Sequence, residues 1–203
     1  MITEKASTTS TPPATNTAKE SSTQLRVFLV RGLIAIVWAA LLAAVAGSAT
    51  TTLTITAGVV LVLYPLIDAV ASLLDARNQH GPAQQLLFAN AAVSTVAAVA
   101  LGVAASQGLT HVFVVFGVWA ALPGPAQLVV ALRRRAQLGR QWPMLLAGGV
   151  SVLFGAAFIF MATAGNATPA MIVVYAATGG VDFVIEALLL VRRRRLAAAP
   201  KAR

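Results

Sequence analysis

Six apolar blocks of about 20 residues each limit what this chain can fold into. A helix of that length, rising about 1.5 Å per residue, crosses roughly 30 Å of hydrocarbon. The blocks run from about Val27 to Ala46, Leu53 to Leu74, Leu86 to Ser106, Leu109 to Leu132, Trp142 to Thr163 and Pro169 to Val191. The third is the least hydrophobic because it is rich in alanine. Lipid offers no partner to a backbone N–H or C=O, so each block must satisfy its own and is read as a helix. The expected fold class is therefore all-α integral membrane, with six transmembrane helices. Composition agrees: 58% of residues are hydrophobic and 10% charged, against about 25% charged in ordinary soluble domains.

Positive charge sorts the connections into two kinds. "GSATTT" (47–52), "SQGLTH" (106–111) and "TAGNAT" (163–168) contain no Lys or Arg. The alternate segments hold Lys5, Lys19 and Arg26, then Arg77, then Arg133, Arg134, Arg135 and Arg140, and finally the six basic residues of "VRRRRLAAAPKAR". Arg31 lies just inside the first span on the same side. By the positive-inside rule both termini are cytoplasmic, and the expected location is the inner (plasma) membrane of a bacterial cell. The net charge of +9 is thus topological. Basic clusters beside apolar blocks suit anionic lipid headgroups, at about 1 kcal/mol per residue near the surface, and not nucleic acid.

Residues 1–25 lack the apolar core of a signal peptide. "STTSTPPATNTAKESST" (7–23) buries too little surface to offset chain entropy, so a disordered cytoplasmic tail is expected over 1–25. A six-helix membrane domain is expected over 26–192 and a basic cytoplasmic tail over 193–203. There is no cysteine, which excludes disulfide and thiolate chemistry.

The pattern repeats. "RGLIAIVWAALLAA" (31–44) is similar to "GGVSVLFGAAFIFM" (148–161), with Gly32 opposite Gly149. The following spans align as "YPLIDAVASLL" (64–74), "LPGPAQLVVAL" (122–132) and "ATGGVDFVIEALLL" (177–190), which puts Asp68, Gln127 and Asp182 at one equivalent position. Three hairpins, at about 26–77, 84–135 and 142–192, account for this better than six independent spans. The Arg31–Gly32 opening, the Asp in the second helix of a hairpin and the triplication resemble the HdeD-like family of small bacterial membrane proteins. That resemblance implies short helical-hairpin repeats of unknown function and a link to acid resistance or general stress tolerance. The chain departs from the family where Ala69 and Phe183 follow the acids in place of glycine, and where Gln127 replaces the acid.

Asp68 lies nine residues before Arg77, and Asp182 ten before Arg192. Each is therefore roughly 13–15 Å along a helix from the basic boundary, too deep for a short side chain to snorkel out. Arg31 shares this inner half of the bilayer. The spacing admits a buried Arg31–Asp68 pair that fixes helix register, since a guanidinium can hold a carboxylate with two hydrogen bonds. It also admits a proton or ion site built from Asp68, Asp182 and Glu186, because one arginine faces three acids. Glu186 is one turn beyond Asp182 and near enough to the basic end to reach the interface. Pro65, Pro123 and Pro125 precede the equivalent polar positions and mark helix kinks, which serve packing or line a transport path. The ladders Ala35–Ala39–Ala43, Ser151–Gly155 and Ala176–Gly180 have the spacing of packing seams, within or between subunits of a homo-oligomer.

Trp142 reads as an interfacial anchor, and Trp38 and Trp119 as packing residues. His80 and His111 are too isolated for a metal site. No catalytic triad, phosphate loop or cofactor fingerprint appears, and the glycine pairs 148–149 and 179–180 fall inside spans. The expected function is non-enzymatic, with no cofactor and the lipid bilayer as main partner. A small transporter or proton-coupled channel using Asp68, Asp182 and Glu186 is the alternative.

Overall fold

The computed structural model describes residues 14–46, 53–122, 124–125 and 142–198. They form six long helices: α1 (Ala14–Ala46), α2 (Ile55–Ala76), α3 (Pro82–Gln107), α4 (Leu109–Ala121), α5 (Trp142–Thr163) and α6 (Pro169–Ala198). The described residues contain no strand. Four helical stretches, Leu25–Ala46, Ile55–Ala76, Pro82–Gln107 and Pro169–Arg192, are long and apolar enough to cross a membrane. The expected fourth and fifth spans appear as shorter apolar helices, Leu109–Ala121 and Gly148–Thr163. The stretch 126–141 between them is outside the described residues. At the amino-terminal end, α1 is already helical from Ala14, inside the segment that composition assigns to a tail. Helix begun in a span propagates outward, because each added residue gains a backbone bond without a new nucleus.

Local chemistry sets the helix ends. Thr54 caps α2: its hydroxyl accepts the Ala57 N–H at 3.1 Å, satisfying one of the donors a helix start leaves open. Pro82 occupies the first turn of α3, where its missing N–H costs nothing. A single residue, Gly108, separates α3 from α4. Its φ of 112° is open to glycine and strained for a side chain, so the turn is as short as the sequence implied. After α5 the chain reverses at Gly165, and the Asn166 N–H returns to the Met161 carbonyl at 3.0 Å.

Two compact units result, Val37–Ala177 and Met1–Ile36 with Thr178–Arg203. In the larger, α2 packs on α3, α3 on α4, and α4 on α5. Its core joins Leu42, Leu61, Leu101, Val112, Phe116 and Ile172. Rings extend it: Trp38 stacks on Tyr64 with centroids 4.2 Å apart, and Phe116 meets Trp119, Phe158 and Tyr175 edge-on at 5.2–5.6 Å. Such aromatic pairs add about 0.5–1.5 kcal/mol each beyond their area.

Small residues face inward. Ala57, Ala69, Ala76, Ala91, Ala97, Ala98 and Ala104 are buried, whereas Val37, Val96, Val99, Leu153 and Phe160 point out. A water-soluble fold would bury its large apolar residues and keep such patches small. Small residues inside and large apolar ones outside are the arrangement of a membrane protein.

Glycines let the backbones touch. A Cβ on Gly117 would lie 2.9 Å from the Gly155 carbonyl oxygen, and one on Gly155 would lie 2.7 Å from that of Gly117. Gly124 meets the Gly148 carbonyl in the same way, at 2.6 Å. In the smaller unit the approach of Gly32 and Gly180 is again reciprocal, at 2.8 and 2.9 Å. Alignment pairs Gly32 with Gly149, yet open space surrounds Gly149; Gly148 takes the close position, one residue away. Of the small-residue ladders, Ala35, Ala39, Gly155, Ala176 and Gly180 are buried and Ala43 faces outward.

We expect Gly155→Ala to destabilise the protein by about 1–3 kcal/mol through overpacking. Gly149→Ala should be neutral or stabilising by up to about 1 kcal/mol, the helix-propensity gain. Thermal unfolding in detergent distinguishes the two; equal melting temperatures would contradict the glycine contact.

Candidate functional site

Asp68 is half-buried on α2, three residues after the fully buried Pro65. Its neighbours on α3 supply donors. The Asn90 side-chain amide donates to Asp68 Oδ2 at 2.7 Å, and the Ser94 hydroxyl donates to the same oxygen at 2.8 Å. Asn90 and Ser94 are four residues apart, so they lie on one face of α3. The Asn90 amide also donates to Ser72 Oγ at 2.9 Å, one turn beyond Asp68 on α2. From α4, the Trp119 indole N–H donates to Ser94 Oγ at 3.0 Å. Ser72 and Ser94 are fully buried. Three helices are thus tied through one carboxylate. Two donors converge on one acceptor oxygen, and they need no reorganisation once α2 and α3 are packed.

Above this cluster the polar groups become sparser. The Trp38 indole donates to the Val60 carbonyl at 2.7 Å. Val60 adjoins Leu61, whose carbonyl would normally bond the N–H that Pro65 lacks. Ser151 donates to the Ala120 carbonyl at 2.8 Å. Two grooves open on the surface of the larger unit. One of about 610 Å³ lies along Leu53, Gly58, Val62, Gly102 and Ala105; the other, of about 480 Å³, lies along Val93, Ala97, Val115 and Trp119. Neither is lined by an acid. Among the described residues, no three His, Cys, Asp or Glu side chains gather as metal ligands would.

The residues singled out from sequence belong to both units. Arg31 is half-buried on α1, and Asp182 (exposed) and Glu186 (half-buried) lie one turn apart on α6, all in the smaller unit. Asp68 stands in the larger. Pro65 is in the interior of α2 and Pro125 is exposed in a helical position. Pro123 and Gln127 lie outside the described residues, as do Arg133, Arg134, Arg135 and Arg140.

The sequence points to a charge opposite Asp68; the structure adds the neutral donors Asn90 and Ser94, with Trp119 behind Ser94. A signal was present in "FANAAVSTV" (88–96), where Asn90 and Ser94 are one turn apart in the most alanine-rich span. Trp119 packs as expected and also donates.

Replacing Asn90 with Leu should cost about 1–3 kcal/mol, because Asp68 and Ser72 lose a donor and an amide in the same step. A double-mutant cycle of Ser94→Ala with Trp119→Phe should show a coupling of at least about 0.5 kcal/mol. Additive melting shifts would refute a shared network.

The short repeat of unknown function (DUF308) matches this chain twice, over residues 30–103 and 91–160. No curated protein and no solved structure matches it.

Proposed function

The chain belongs to the family of short repeats of unknown function (DUF308), and from that footing we propose a non-enzymatic protein of the bacterial inner membrane. In this reading it is a structural or interaction component of the bilayer that serves acid or general stress tolerance. Three helical hairpins form it, with both termini in the cytoplasm. The two family matches begin 61 residues apart, close to the interval from Asp68 to Gln127 that the sequence repeat requires. The charge distribution supports the topology.

One observation carries the assignment of a structural role: the Asp68 carboxylate accepts from two α3 side chains, one of them itself held by Trp119. Donors built into a helix interface hold an acid in place, whereas a carrier site must exchange partners as its cargo comes and goes. We assign Arg31 as the countercharge, on the grounds that both residues fall in the inner half of the bilayer. The pair then serves register, the best-attested use of a buried ion pair. The basic clusters bind anionic headgroups.

Purified protein in liposomes, with a pH-sensitive dye inside, tests this against the transporter reading. Proton flux should stay at the protein-free level for the wild type and for Asp68→Asn. Asp68→Leu, which takes the Asp68 acceptor from Ser94 and leaves Asn90 only Ser72, should lower stability in detergent by about 1–3 kcal/mol. Flux that Asp68→Asn or Asp182→Asn abolishes would establish the transporter instead. A reporter active only in the periplasm should be silent when fused after Arg195; activity there would reverse the topology.

A further inference from the structure

The α2–α3 contact turns on Asp68, which accepts from Asn90 and Ser94, while Asn90 also reaches Ser72. Between Gly124 and α5 the same pattern recurs in glycine. A Cβ on Gly124 would meet the Gly148 carbonyl and, one turn on, Val152. It recurs again between α1 and α6. A Cβ on Gly180 would meet the Gly32 carbonyl and Ile36, and one on Gly32 would meet Gly180 and Val184. The numbering keeps step. Asp68, Gly124 and Gly180 are spaced 56 residues apart, and Gly32, Asn90 and Gly148 are spaced 58 apart. Ile36, Ser94 and Val152 share the second interval, and Val184 stands two of the first intervals beyond Ser72. The first interval also joins Ala57 to Phe113 and Pro169, and Val60 to Phe116 and Ile172, all of them buried.

We infer that one helix crossing is built three times, and that Asp68, Asn90 and Ser94 are a polar register key set into the copy that needs one. In this frame Asp68 stands with Gly124 and Gly180, and not with Gln127 and Asp182 as the sequence alignment has it. Two copies close without an acid, so bringing the helices together is not what the acid adds. What differs is shape. The buried face of α3 is Ala91, Ser94, Ala97, Ala98, Leu101 and Ala104, small residues but for one. In the other copies large side chains flank the glycines: Phe158 and Ile159 at Gly117, and Phe183 and Ile36 at the Gly32–Gly180 pair. A seam of small residues looks alike after a slide of one helical turn, about 5.4 Å. That slide would separate Asp68 from both donors, and lipid supplies no replacement. The polar set thus holds one register where packing does not choose, the best-attested use of buried polar groups. This inference rests on the structural role given to Asp68; flux in liposomes tests that role, whereas the register has its own readout.

A Cβ on Gly58 would lie 3.3 Å from that of Ala105, close to the spacing a disulfide needs, and the chain has no cysteine of its own. Gly58→Cys with Ala105→Cys therefore reports the α2–α3 register when native membranes are oxidised. Asp68→Gly, Asn90→Gly and Ser94→Ile together install the crossing of Gly180, Gly32 and Ile36. This triple variant should recover more than half of the melting-temperature loss that Asp68→Gly causes alone. Its disulfide should nevertheless form at least about threefold more slowly than in the wild-type background, the scale of one intramembrane hydrogen bond. Exchanging the partners, Asp68→Asn with Asn90→Asp, keeps donor facing acceptor and should keep the wild-type rate. The inference is overturned by a triple variant no more stable than Asp68→Gly, by an undiminished disulfide rate in it, or by a slow rate in the exchange variant. Proton flux in the wild type would overturn the structural role of Asp68 without altering any of these rates, so the two failures are distinct.

Discussion

A polar group in hydrocarbon has only the protein to turn to, and this one constraint orders the fold. It makes each apolar block a helix, because no other open structure satisfies its own backbone. It also explains why Asp68 sits where α2 meets α3, beside the donors of α3. Oδ2 accepts from Asn90 and Ser94, Ser94 accepts from Trp119, and Ser72 accepts from Asn90. Removing any one member leaves another with an unmet need in low dielectric, so the cluster acts as a unit.

Different contacts use different means to bring helices together. Between α4 and α5, glycines bring backbone against backbone at Gly117 with Gly155, and Gly124, beyond the end of α4, meets Gly148 of α5; α1 and α6 do the same at Gly32 with Gly180. The α2–α3 contact relies on side-chain hydrogen bonds, and the glycines near it sit more loosely: a Cβ on Gly58 or Gly102 would be 3.3 or 3.7 Å from its nearest neighbour. The trade is physical. Close backbone approach gains dispersion and weak Cα–H···O contacts over a whole crossing, but it leaves no room for side chains that could hold a charge. An acid can therefore be housed in the α2–α3 interface and not in a glycine crossing.

The helices and the tight turns at Gly108 and Gly165 could be read from the chain, because length, apolar content and turn residues are local properties. Asp68 stood out for the same reason, as one charge in an apolar run. Its partners did not. Asn90 is 22 residues away in sequence and neutral, so the charge pattern does not point to it. Trp119 looked like packing because indole serves both purposes, and only the arrangement in space shows the N–H directed at Ser94. The one-residue difference between Gly149 in the alignment and Gly148 in the structure has a similar origin. Adjacent helical residues point about 100° apart, and a run of two glycines carries no side-chain signal to choose between them.

Asp68 and Asp182 each interrupt an apolar helix, yet their surroundings differ. Around Asp68 the neighbouring helix carries Asn90 and Ser94, so the acid is absorbed into the interior. Around Asp182 the nearest close helix contact is the Gly32–Gly180 crossing, whose inner face is filled by Ile36, Phe183 and Val184. Those three side chains carry no donor. What answers an acid within a span comes from whichever helix packs alongside and not from the acid's own helix, so the same residue type meets different surroundings on α2 and on α6.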